Sequence, residues 1–305
     1  MRSGTAKGYG ALFITSTVWG TTWVVSKVGV HAMPALEMSA IRQFLAGSLF
    51  LIFFLLIKKQ QFPSLPDLLW SVLLGLLMFV FANGLSTWSL NYIPSGFSAL
   101  IGALYPLSVV IIERVFLKIK TINALTLAGL LLGLTGVGIV FYDNAFHSLH
   151  EGFGWGIFLS VCAMLSWSVG TVLIMRKKTA FDPYHSTGWQ MFFSGIILYV
   201  FSLLTGQHIS FSAIPLVGWE VIWYLVILGS VVSFAAFIYS IKHLPAAIAS
   251  LYAYINPLVA MVLAALFVDE KLTALIIWGS IVTLIGVFLV NLSLRKSHAI
   301  KPPTE

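Results

Sequence analysis

Arg42 stands in an apolar run about two turns from its start, with Glu37 the nearest acid. Burying a guanidinium there costs roughly 2.5–3.5 kcal/mol on insertion scales, so it must face protein, water or a partner. Its planar fork can take a carboxylate, close a structural ion pair or snorkel outward, and the sequence leaves all three open. Around it the chain offers rings and amides rather than reactive groups. Trp19 and Trp167 lie in the middle of apolar runs. Tyr105 and Asn256 each precede a proline, Pro106 and Pro257, and Tyr252 lies one turn before Asn256. These residue types recognise a small molecule; they do not transform one. No nucleophile has a base placed to activate it, and the histidines fall near run ends or in loops without metal-ligand spacing. Cys162 is the single cysteine, and no glycine loop cradles a phosphate. Catalytic residues, metal ligands and a cofactor are therefore not expected.

What must position these residues is a membrane. Of 305 residues, 59% are hydrophobic and 9% charged, against about 25% charged in soluble domains. Ten apolar runs are long enough to cross a bilayer, at about 9–30, 35–57, 67–91, 94–117, 122–142, 153–175, 184–205, 219–242, 245–268 and 274–294. With the N-terminus inside, all 17 basic residues except Lys27, Arg42 and Lys271 fall on the inner side. That bias predicts two cytoplasmic termini and makes the +7 charge a topology signal, not a nucleic-acid surface. The expected partners are the lipid bilayer and a small-molecule substrate. Oligomeric state is not encoded legibly.

One device recurs. PSGFSALIGALYPLSVVIIERVFLKIK from Pro94 returns 151 residues later as PAAIASLYAYINPLVAMVLAALFVDEK, so Pro106 matches Pro257. Trp19 and Trp167, and Gly47 and Gly195, are 148 apart; Gly129 and Gly279, and Gly136 and Gly286, are 150 apart. Five spans per half is an odd number, so the halves cross the membrane in opposite senses, as in many secondary transporters. The predicted fold is an all-α membrane protein of ten transmembrane helices in two inverted five-helix repeats around a central cavity. The repeats cover 1–143 and 153–296, with an outer linker at 144–152 and a cytoplasmic tail at 297–305.

Helical spacing groups the polar residues into stripes. Thr15, Ser16, Trp19, Thr22, Trp23 and Ser26 share one face of the first span, and Phe79, Asn83, Ser86 and Thr87 one face of the third. Ser166, Trp167, Gly170 and Thr171 do so in the sixth, and Ser230, Ser233, Phe234 and Phe237 in the eighth. A single hydroxyl is often helix–helix glue. Four stripes with interleaved aromatics point to a shared polar-aromatic cavity, because polar groups are costly against lipid. The candidate substrate-binding residues are thus Trp19, Thr22, Trp23, Arg42, Phe79, Asn83, Tyr105, Trp167, Thr171, Phe237, Tyr252 and Asn256. Pro106 and Pro257 are expected mid-helix kinks serving as hinges, Glu113–Arg114 a structural or gating pair, and Lys27–Glu37 an ion pair between the first two spans.

Across nearly its whole length the sequence resembles the EamA domains of the drug/metabolite transporter superfamily. The first-half motifs are VWGTTWVVSKVGV, IRQFLAG with Arg42, PSGFSALIGALYPL and AGLLLGLTGVGIVF; the second half has LSWSVGTVLIM, LPAAIASLYAYINPL, VDEK and IVTLIGVFLVN. The resemblance implies alternating access through a central cavity and, on its nearest branch, YddG-like amino-acid exporters of bacterial inner membranes. Carriers of phosphorylated or nucleotide-linked metabolites share the fold and form the rival reading; a membrane sensor or an intramembrane enzyme is the rival from another class. Lys118-Ile119 replaces the Gly-Glu pair frequent in the family, and Gln190 stands where the first half has Arg42, so the halves cannot bind charge alike.

Overall fold

The computed structural model describes residues 2–115, 123–147, 151–177, 181–244 and 251–299. They form ten helical rods and, among the described residues, no strand. These are α1 (Arg2–Ala32), α2 (Ala35–Ile57), α3 (Leu65–Ser89), α4 in two pieces, α5 (Ala124–His147), α6 (Phe153–Arg176), α7 (Pro183–Leu204), α8 (Leu216–His243), α9 (Tyr252–Phe267) and α10 (Ala274–Ala299). Eight carry apolar stretches of at least 18 residues; α9 is shorter, and α1 runs for 31. The chain is a ten-helix membrane protein whose described elements overlap the ten predicted spans, with ends up to seven residues away. Starts are set by local chemistry. Asp182 accepts from the backbone N–H groups of Tyr184 and His185 at 2.9 and 3.0 Å ahead of Pro183 at the first helical position of α7.

The fourth rod departs from expectation. It is not one helix kinked at Pro106. It breaks at Ala103–Leu104 into α4a (Ser95–Gly102) and α4b (Tyr105–Val115). Pro106 becomes the second residue of a new helix, where its missing N–H would have had no intrahelical partner. Pro257, by contrast, does lie inside a continuous helix, α9.

The repeat is visible as reciprocal close packing. A Cβ on Gly47 would meet the backbone of Phe192, and one on Gly195 the backbone of Phe44; Gly47 and Gly195, like Phe44 and Phe192, are repeat mates 148 apart. Likewise Gly129 packs on Gly286, and Gly136 on Gly279 and Thr283. In both crossings the residue numbers run in opposite directions. The equivalent helices α2 and α7, and α5 and α10, therefore pack antiparallel, and a pseudo-two-fold axis perpendicular to them relates the halves. Glycine is required here because the backbones themselves touch.

Three rods contain π-helical turns that periodicity does not foretell: residues 52–57 of α2, 76–84 of α3 and 225–232 of α8. The last two occupy matched places in the two halves. A π turn inserts residues into the helical register, rotates the downstream face and shifts the backbone hydrogen-bond ladder, a local device frequent at functional sites.

Candidate binding cavity

Between the halves lies a cavity of about 180 Å³ lined from α1, α2, α3, α4a, α4b, α6, α8 and α9. Its floor is aromatic. Trp19 donates Nε1–H to the carbonyl of Gly229 at 3.1 Å, which fixes the indole. Phe234, Phe237 and Tyr252 pack on it at ring-centroid distances of 5.0, 5.2 and 5.4 Å. The two edge-on contacts, with Phe234 and Tyr252, each add about 0.5–1.5 kcal/mol beyond area burial. Tyr252 then donates its hydroxyl to Tyr105 across the halves at 3.3 Å.

Above the floor the lining turns polar. Arg42 is the one charged side chain among the lining residues, and it is 5% exposed. Its Nε donates to Ser230 Oγ at 3.0 Å and its NH2 to Gly229 O at 3.5 Å, both within the π turn of α8. Among the described residues it has no carboxylate partner. A buried cation held only by neutral groups is incompletely compensated, so an anionic group entering the cavity would be attracted to it. Asn83 accepts from Gln43 Nε2 at 3.0 Å. The Oδ1 atom of Asn256, which also lines the cavity, is buried with no hydrogen-bond partner among the described residues. Hydroxyls knit the wall: Ser89, Ser98 and Ser160 form a triangle with sides of 3.1, 3.1 and 2.6 Å that joins α3, α4a and α6.

The lining runs from mid-span, at Trp19 and Tyr105, to Ser26, Leu90 and Ser98 near the end where α3 meets α4a. On the other side of the aromatic floor the bundle is packed. Leu12, Leu244 and Phe234 belong to one buried cluster, and Thr15 reaches the carbonyl of Ser233 at 3.4 Å. The cavity thus belongs to one half of the bundle depth.

Nine of the twelve candidate binding residues meet in this cavity: Trp19, Thr22, Trp23, Arg42, Asn83, Tyr105, Trp167, Tyr252 and Asn256. Phe79, 2% exposed, stands behind it against Phe234. Phe237 backs Trp19 and Tyr252, and Thr171 spends its hydroxyl on the carbonyl of Trp167 at 2.9 Å. Pro257 lines the cavity and Pro106 is buried beside it. Arg114 is exposed near the end of α4b, while the Glu113 side chain lies outside the described residues. The expected Lys27–Glu37 pair does not form. Glu37, fully buried, accepts from His208 Nδ1 at 2.8 Å and from the Ile209 N–H at 3.0 Å, both in the loop before α8. That loop brings two donors to the carboxylate, and Lys27 turns to α3. Sequence reasoning also passes over Ser160 and Met164, which line the cavity, and Gln43, which holds the lining residue Asn83 from behind.

Residues 6–142 and 154–292 each match the EamA-like transporter family. Over 287 residues the chain is 33% identical to the inner-membrane transporter YedA of Escherichia coli strain K12, covering 93% of this chain and 90% of that one. It is 27% identical over 278 residues to the transporter YoaV of Bacillus subtilis strain 168, covering 89% and 92%. A crystal structure of a protein 16% identical in sequence superposes with a TM-score of 0.63 over 96% of this chain and 99% of the other, a likeness of fold.

Proposed function

We propose a cargo and a direction for this chain, which belongs to the EamA-like transporter family: it exports neutral, including aromatic, amino acids or closely similar metabolites across the cytoplasmic membrane. The observation that carries the reading is Arg42, a buried guanidinium at the cavity wall without a carboxylate partner among the described residues. It is suited to a cargo carboxylate. The unpaired Oδ1 of Asn256 is suited to the ammonium group, and the rings of Trp19, Trp167, Tyr105 and Tyr252 to an apolar or aromatic side chain. A zwitterion needs one positive contact, not several. Phosphorylated cargo would need a cluster of bases, and Lys27, the other cation near this depth, is held by backbone carbonyls instead.

With both termini cytoplasmic, the orientation that the basic residues favour, the cavity lies in the outer half of the bundle and the Leu12–Leu244 side forms the inner closure. Alternating access would open the inner and the outer closure in turn, with the antiparallel crossings as the axis of rearrangement.

Counterflow into liposomes tests this, with labelled amino acids, sugar phosphates or nucleotides supplied outside and the matching unlabelled compound loaded inside. Exchange of neutral amino acids that Trp19→Ala and Asn256→Ala weaken is the expected result. Exchange restricted to phosphorylated compounds would overturn the cargo while leaving the fold and family untouched.

A further inference from the structure

At the cavity's outer end one carboxylate of the second half reaches into the first. Glu270, in the loop between α9 and α10, accepts through Oε1 from the Ser95 N–H at 2.6 Å and the Ser95 hydroxyl at 2.7 Å. Its Oε2 accepts from the Gly96 N–H at 3.2 Å. These donors belong to the first turn of α4a, which comes directly after Pro94 and has no side-chain cap of its own. The carboxylate is aimed by its own backbone. Asp269 adopts φ 54°, a left-handed conformation that Asp tolerates better than most residues, and the Glu270 N–H returns to Ala264 O at 3.2 Å.

Lys27 completes the cluster from α1. Its ammonium donates to the carbonyls of Leu90 at 2.5 Å and Ile93 at 3.2 Å at the end of α3, and it lines the same outer cleft as Glu270. The turn between α3 and α4a is thereby held from one side by an ammonium and from the other by a carboxylate. Leu90 and Ala99, within about a turn of these contacts, line the central cavity. Sequence removes the same device from the opposite end. At the repeat spacing of 151, Glu270 maps to Ile119 and Ser95 to Ala246; at 148, Lys27 maps to Met175.

We propose that Glu270 and Lys27 are gating residues, a charged latch that closes the cavity at the α3–α4a end and whose residues are not repeated at the equivalent sequence positions of the other half. The two closures of the transport cycle are then unlike in kind: hydrogen-bonded charge at one end, packed apolar side chains at the other. The proposal rests on reading the cavity as a transport site, and its test is chosen to need no cargo.

The experiment measures the rate at which a charged maleimide labels single cysteines in the full-length, detergent-solubilised protein with Cys162→Ser as background. Ala99→Cys reports the latched end and Thr15→Cys the apolar end. Glu270→Gln and, independently, Lys27→Met are expected to raise labelling at position 99 roughly ten-fold, the factor carried by one charge-assisted hydrogen bond, and to lower it at position 15. Lys271→Gln, a neighbouring charge without these contacts, should change neither rate. Unchanged labelling at 99 in both latch variants would overturn the proposal. So would a joint rise at 99 and 15, the signature of general loosening. A protein that moves no amino acid yet shows the reciprocal shift would keep the latch and refute the cargo.

Discussion

The hydroxyls of Tyr105 and Tyr252 meet at 3.3 Å, one from each half of the chain, with their rings stacked at 6.4 Å. Neither residue is the other's repeat mate. The contact crosses the pseudo-two-fold axis without obeying it and ties the broken α4 to α9 where the cavity reaches mid-span. Removing either hydroxyl should cost about 1 kcal/mol. Because they share one bond, Tyr105→Phe, Tyr252→Phe and the double variant should all weaken cargo affinity by similar factors, with clear non-additivity in a double-mutant cycle. Additive losses would mean that each hydroxyl bonds elsewhere.

Arg42 separates folding from recognition. Replacing a buried, incompletely compensated charge by an apolar side chain of similar length is often neutral or stabilising. Arg42→Met should therefore keep or raise the thermal midpoint in detergent while lowering affinity for carboxylate-bearing cargo roughly ten- to a hundred-fold, the worth of a charged hydrogen bond. Arg42→Lys should rescue little, since an ammonium cannot reproduce the planar fork. Binding titrations with an amino acid and its decarboxylated amine distinguish the roles: only the former should respond to the substitution.

The antiparallel crossings predict a stability contrast among glycines. Gly136→Val and Gly195→Val force side chains into backbone and should destabilise by about 1–3 kcal/mol or more. At Gly138 an added Cβ would meet nothing within 4 Å, so Gly138→Ala should stabilise by about 0.5–1 kcal/mol. Thermal unfolding monitored by tryptophan fluorescence reads both.

Glu37 gives a fourth test. Glu37→Ala strands the Ile209 N–H and the His208 ring, and should cost about 1–3 kcal/mol of stability. Lys27→Ala should leave the Glu37–His208 contact untouched, which a double-mutant cycle in thermal midpoint would show as additivity.

Much of the architecture is legible in the sequence because hydropathy is a collective signal: about twenty apolar residues outvote any local ambiguity, and glycine echoes at 148 and 150 expose the repeat. The site is legible in part. Trp19, Asn83 and Asn256 stand out because polar and aromatic groups at mid-span have few places to go. Phe79 is misplaced because a stripe at 3.6-residue spacing assumes an α-helix, and the π turn at 76–84 rotates the residues beyond it. The break at Ala103–Leu104 and the partners of Arg42 are tertiary outcomes. Ser230 lies 188 residues from Arg42, and no local pattern joins them. Proximity of span ends pairs Lys27 with Glu37, whereas the deciding donors come from a loop with no distinguishing motif.

The lone cation of the cavity lining has a bearing on energy conservation. A wet path through a carrier is a potential short circuit for hydronium and sodium, which the cell keeps at unequal concentrations on its two faces. A fixed guanidinium, held by Ser230 and the Gly229 carbonyl, raises the electrostatic barrier to any small cation that enters the cavity. On the proposed reading, the residue suited to a cargo carboxylate would also serve as an insulator, keeping the ion gradients intact while the gates turn over.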